Sequence, residues 1–171
     1  MDLSELSALW APWRAEYFSA PATPDFLRAA AHAADDAAHL VVARRKSGFL
    51  IMNRYPYAVG HLMAVPYRKV GTLSDLTDGE KLDLLGLAEH AQTLLRAAVK
   101  AQGFNLGLNL GQCAGAGVVD HLHFHIVPRW EGDHNFMPVL AGTRILPEAL
   151  DALYRKLLAA QATLEPRRAS P

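Results

Sequence analysis

"DHLHFHIVPRW", Asp120 to Trp130, carries three of the chain's eight histidines at alternate positions. Leu122, Phe124 and Ile126 stand between and after them. Successive side chains of a β-strand point to opposite faces, and same-face neighbours lie about 6.5–7 Å apart. The alternation predicts a strand with His121, His123 and His125 on one face. Leu122, Phe124 and Ile126 take the other, against a helix. Asp120 then points away from the histidines.

A histidine row has three readings. The plainest is a solvated sheet face, but imidazoles that charge together near neutral pH repel one another, and histidine is uncommon. A second reading is metal binding. Two histidines at i and i+2 can grip one zinc ion, and a catalytic site adds a third protein ligand and a water. Three in a row span about 13–14 Å, too far to share one ion unaided, and Asp120 lies on the wrong face to help. The third reading is covalent phosphoryl chemistry. Neutral imidazole is a good nucleophile, and flanking histidines titrate near working pH, so they can orient it or move protons. The preceding loop, "GLNLGQCAGAG" (107–117), has four glycines that let backbone N–H groups approach an anion.

Outward from this stretch the chain alternates short strands with helices. "HLVVAR" (39–44) and "GFLIMN" (48–53) flank a basic turn and predict a hairpin. "HLMAVP" (61–66) predicts a third strand, stopped by Pro66, and "FNLGLNLG" (104–111) a fourth. Thr77 with Glu80 three residues on is a capping-box pattern. After it Leu84, Leu87, Ala88, Ala91, Leu94, Leu95 and Ala98 recur at helical spacing, with Gly103 expected to close the helix. "LPEALDALYRKLLAAQA" predicts a last helix with Pro147 at its start. Near the N-terminus Trp10, Trp13, Tyr17 and Phe18 form an aromatic cluster expected to dock on the body. An Ala- and Pro-rich segment then leads into a weak helix. The order predicts an α+β fold: an antiparallel sheet of about five strands, one long crossover helix and a C-terminal helix.

Composition narrows the function classes. At 171 residues one domain is expected, with its core at about 37–140, an N-terminal extension at 1–36 and a C-terminal helix and tail at 141–171. Lys plus Arg and Asp plus Glu number 17 each, so no basic field points to nucleic acid. The single Cys113 excludes an internal disulfide or a cysteine metal cluster and suits a reducing compartment. No signal peptide or membrane span is visible. A soluble, cytoplasmic protein is expected.

The motif His-φ-His-φ-His-φ-φ, here "HLHFHIV", resembles the signature of the histidine triad (HIT) superfamily of nucleotidyl hydrolases and transferases. "NRYPYAVGHLMAVPYR", "GFNLGLNLG", "DHLHFHIVPRW" and "GDHNFMPVL" resemble, in order, blocks of its bacterial branch that holds diadenosine tetraphosphate (Ap4A) phosphorylases and hydrolases. "LWAPWRAEY" resembles that branch too. The resemblance spans about Ala37 to Leu140. It implies that the middle histidine, His123, attacks the α-phosphorus and forms a nucleotidyl-histidine intermediate, which water or inorganic phosphate then resolves. His121 and His125 would orient it and contact the phosphate, with His61 nearby. Asn53 would contact the ribose and Asn109 help hold the phosphate, beside the loop glycines Gly115 and Gly117. An apolar slot from Phe49, Leu50 and Ile51 would take the base, although an ordinary core strand explains those residues equally well. No cofactor is expected, and a homodimer is, with 78–100 and the adjacent strand as its interface.

Two departures matter. Many relatives carry an N-terminal Cys-x-x-Cys that binds zinc with later histidines, one of them after "VPYR". This chain has no cysteine before Cys113 and has Lys69 at that place. Loss of the structural zinc site is expected. Several relatives also have a serine before the triad that assists the leaving group, where this chain has Gly117 and Val118. That shifts the expectation toward dinucleoside polyphosphates, whose leaving groups depart easily. The competing readings are a zinc-dependent hydrolase on the same histidines and a nucleotide-binding module with little catalysis.

Overall fold

The computed structural model describes residues 25–133 and 149–164. The expected aromatic cluster at Trp10–Phe18, the start of the last helix at Pro147 and the "GDHNFMPVL" block beyond Asp133 lie outside them.

Five strands form one antiparallel sheet: β1 (Val41–Arg44), β2 (Gly48–Met52), β3 (Leu62–Pro66), β4 (Gly103–Leu108) and β5 (Phe124–Arg129). Their spatial order is β1-β2-β3-β5-β4, so the histidine strand is interior and β4 is an edge. Among the described residues four α-helices accompany the sheet: α1 (Phe26–His32), α2 (Asp36–His39), α3 (Asp78–Val99) and α4 (Leu150–Leu164). The architecture is α+β, as the order of elements predicts.

Each face of the sheet has its own apolar cluster. On one, Leu50, Met52, Leu62, Ala64, Leu122 and Ile126 meet the stripe of α3 formed by Leu84, Leu87, Ala88, Ala91, Leu94 and Leu95. Phe124 packs against this cluster, so the three residues interleaved with the histidines do meet the helix. α4 adds Leu153, Tyr154 and Leu157. On the other face Phe49, Ile51, Met63 and Val65 pack under Leu27, Ala30 and Ala31 of α1. His125 pairs with Met63 across β3 and β5, which puts its ring on this second face.

Helix ends follow local chemistry. Thr77 and Glu80 form the expected capping box. The C-terminus differs from expectation: Lys100, not Gly103, takes the left-handed position (φ 57°), and its N–H reaches the Leu95 carbonyl. Gly103 is needed as the first residue of β4. The weak helix near the N-terminus is two short ones. Asp25 caps α1, Asp35 caps α2, and Leu40 (φ 58°) turns the chain into β1. Arg44 on β1 donates to the carbonyls of Ala30 (2.9 Å) and Ala31 (3.2 Å) and pairs with Asp36 at 2.6 Å. It satisfies the open end of α1 and locks that helix over the histidine face.

Candidate functional site

β5 begins only at Phe124, so the histidine row is not one straight strand. His125 sits in the ladder, while His121 and His123 occupy the lead-in beside the end of β3. The regular strand expected from Asp120 onward begins only at Phe124, because the chain bends at His121. His123 and His125 still face one cleft, their rings edge to face with centroids 4.9 Å apart. His121 turns beneath it and is completely buried.

The cleft encloses about 490 Å³ of solvent-open space. Its walls are Phe26 of α1, Asn53, Tyr55 and Tyr57 of the turn after β2, and Met63 of β3. Asn109, Gly115, Gly117 and Val118 of the loop after β4 complete it with His123 and His125. Gly115 has φ +83°, a conformation that a Cβ would strain. The turn that delivers His61 has the same need. Gly60 has φ +81°, and a Cβ there would lie 2.8 Å from Leu95.

Partners that can only accept or only donate set the histidine tautomers. The Nδ1–H of His123 donates to the His121 carbonyl at 2.8 Å, which leaves Nε2 with its lone pair. His121 donates its Nε2–H to the Pro66 carbonyl at 2.9 Å. The backbone N–H of Tyr57 donates to His61 Nδ1 at 3.1 Å, and the Asn53 amide approaches the same atom at 3.3 Å. His61 Nε2 therefore carries the proton and donates it to His125 Nδ1 at 2.9 Å. Neutral His125 must then hold its own proton on Nε2. Burial, partly opposed by the hydrogen bond to the His121 carbonyl, pushes the His123 imidazole below its ordinary pKa, and the neighbouring His121 lowers it further. At neutral pH the cleft thus pairs an unprotonated ring nitrogen with a donor.

The profile of the HIT domain family matches residues 35–132. The chain belongs to the HIT family. A Mycobacterium tuberculosis protein named AP-4-A phosphorylase is 40% identical over 171 residues, covering 95% of this chain and 87% of its own. A Schizosaccharomyces pombe protein named bis(5'-nucleosyl)-tetraphosphatase (asymmetrical) is 34% identical, covering 54% of this chain and 50% of its own. Among solved structures, a zinc-bound histidine triad family protein from Mycobacterium smegmatis shares the fold. Its TM-score is 0.61 at 23% identity, covering 74% of this chain and 86% of that one.

Of the site residues that HIT resemblance nominates, Asn53, Asn109, Gly115, Gly117, His123 and His125 meet around the cleft. His61 stands directly behind His125. His121 is not at the wall; its carbonyl holds His123 from below. The expected base slot needs correction. Phe49, Leu50 and Ile51 are core residues at 3% exposure or less, and none reaches the cleft. β2 is buried on both faces, since α1 covers the side that an uncovered sheet would have opened to a base. Phe26, Tyr55, Tyr57 and Met63 supply the apolar wall instead. The sequence signalled Tyr55 and Tyr57 by placing aromatics between Asn53 and His61, whereas nothing marked Phe26.

Zinc finds no described ligand set in this HIT chain. Among the described residues no three of His, Cys, Asp and Glu converge on a point where they could hold a metal ion. Lys69, at the place where relatives offer a histidine, is an ammonium between two carboxylates and cannot ligate a cation.

Proposed function

We propose that this chain cleaves dinucleoside polyphosphates of the Ap4A type at the α-phosphate, through a covalent nucleotidyl-histidine at His123. The observation that carries the reading is the His123 ring, with Nδ1–H committed to the His121 carbonyl and Nε2 left as the nucleophile in a cleft. Nε2 attacks the α-phosphorus. The N–P bond forms as the bridging P–O bond breaks, and the electron pair leaves on the oxygen of the departing nucleoside polyphosphate. His125 Nε2–H donates to the phosphoryl oxygens while charge develops. Asn109 and the N–H groups of Gly115 and Gly117 face the same phosphate, and Asn53 the ribose. In the second step an acceptor oxygen attacks the same phosphorus, and the pair of the N–P bond returns to Nε2.

The M. tuberculosis relative, similar along nearly the whole chain, supports inorganic phosphate as the acceptor. Ap4A would then yield ATP in the first step and ADP in the second. The S. pombe relative supports water as a second reading, with AMP in place of ADP. Among the described residues no serine or threonine lines the cleft, so bridging oxygens that leave without an aliphatic hydroxyl's help suit it best.

We further propose a homodimer through the β4 edge, where Leu106 is 46% exposed and the ladder is open on one side. The reaction is assigned to the cytoplasm, where the exposed free Cys113 stays reduced. No described helix is long and apolar enough to cross a membrane.

Incubation with Ap4A, with and without inorganic phosphate, tests the assignment. ADP plus ATP only with phosphate establishes the phosphorylase, and AMP plus ATP without it the hydrolase. Failure to cleave any adenine dinucleotide would overturn both.

A further inference from the structure

The segment after β3 runs beside the lead-in to the triad and touches it at three successive levels. The Pro66 carbonyl accepts from His121 Nε2 at 2.9 Å. Lys69 reaches Asp120 at 2.7 Å. The Val70 carbonyl accepts the Leu122 N–H at 2.7 Å. Lys69 alone among these also reaches outside the pair. Its ammonium lies 2.7 Å from Asp25 Oδ2, while Asp25 Oδ1 caps α1 through the Arg28 N–H at 3.0 Å. The same Oδ1 stands 3.7 Å from Nδ1 of His121, a fully buried ring nitrogen that makes no hydrogen bond.

We propose that Lys69 is a positioning residue for the reaction, its ammonium joining Asp25 and Asp120 so as to fix the His121 backbone from which the nucleophile His123 is held. The proposal rests on reading His123 as that nucleophile. Stability alone does not account for the arrangement. Asp120 is 68% exposed and Lys69 is 35% exposed, and exposed ion pairs contribute little. Geometry does account for it. The His121 carbonyl sets the direction of the His123 ring, and a displacement of about 1 Å at a reacting group costs on the order of a hundredfold in rate.

Charge makes the same point. The Asp120 and Asp25 carboxylates hold Lys69 above the ordinary lysine range. Burial pushes the Asp25 carboxyl up, but hydrogen bonds from Lys69 and the Arg28 N–H outweigh it and leave it below its usual value. Both partners are therefore charged at neutral pH. Without the ammonium, Asp25 faces the His121 imidazole uncompensated. The buried ring it faces lies two residues from the nucleophile. Lys69 offsets part of the carboxylate charge at this corner with a cation of its own.

The test compares Lys69→Ala and Lys69→Arg with His123→Ala, using Ap4A turnover and the imidazole 15N spectrum of His123. Lys69→Ala is expected to lower kcat about tenfold to a hundredfold with KM changed much less. It should also mix the His123 tautomers that are single in the parent protein. Lys69→Arg keeps the bridge and should restore most of kcat and the single tautomer. A Lys69→Ala protein with parental kcat and an unaltered His123 spectrum overturns the proposal, as does a Lys69→Arg protein that is folded and as slow as the alanine variant. Should Lys69→Ala not fold, Asp120→Asn carries the same expectation in milder form. Parental turnover by His123→Ala would instead remove the nucleophile assignment itself, whatever Lys69 does.

Discussion

His61 Nε2 lies 2.9 Å from Nδ1 of His125 although the two residues are 64 positions apart. This contact closes a directed chain. The N–H of Tyr57 and the amide of Asn53 address His61 Nδ1, His61 passes its proton's direction on, and His125 presents Nε2–H. Tyr57 also lays its ring beside both imidazoles, with centroids 4.6 and 5.6 Å away. Reversing the His61 ring would break both ends of the chain at once.

His61→Ala is therefore expected to act through kcat. It leaves Nδ1 of the buried His125 without its donor, a loss of about 1–3 kcal/mol, and frees the wrong tautomer. We expect kcat to fall about tenfold to a hundredfold while KM for Ap4A changes little. Steady-state kinetics on a variant with unchanged circular dichroism check this; a pure KM effect would assign His61 to substrate binding.

The pH profile follows from His123. Its pKa is depressed in the fold, first by burial and then by His121, and only the neutral ring attacks. Activity is lost as pH falls through that depressed value, so the acid limb of kcat/KM should have its midpoint below the ordinary imidazole value of about 6.5. A midpoint at or above that value would show that His123 is less desolvated than the fold implies.

Periodicity carries the fold well because it reports burial directly. The α3 stripe and the Leu122–Phe124–Ile126 row land where their spacing puts them. The site is less legible. Strand alternation assumes a straight extended chain, yet the bend before Phe124 sends His121 away from the cleft. Phe49 and Ile51 look the same in sequence whether a base or α1 covers them, since both covers are apolar. Which one it is depends on α1, and α1 is placed by Arg44, a long-range contact that no local pattern encodes. Lys69 and Asp25 are as silent, because an ion pair across 44 residues leaves no spacing to read.

Glu80 gives the fold an acid-sensitive joint. Arg68 donates to it at 2.6 and 2.7 Å and the Thr77 N–H at 2.8 Å. Arg68 first, then Thr77, hold its carboxyl down to about 2 from 4.5. A carboxylate depressed in the fold stabilises above its unfolded pKa and loses that contribution as pH falls toward its folded one. Stability should decline from about pH 4.5 toward pH 2, and Glu80→Gln should flatten that decline. Urea unfolding at pH 7, 4 and 3 checks it, and an equal slope in both proteins would remove Glu80 from the account.

Phe26 and Phe49 separate wall from core. Phe49 is completely buried and stacks on Tyr67 at 5.6 Å. Phe49→Ala should cost about 3–5 kcal/mol of stability, with the activity of the folded fraction retained. Phe26 lines the cleft at the start of α1. Phe26→Ala removes binding that the ground and transition states share, so KM should rise about tenfold with kcat nearly constant. Thermal melts and Ap4A kinetics on the two variants read the difference. A Phe49→Ala protein that is stable but binds nucleotide weakly would return the base slot to β2.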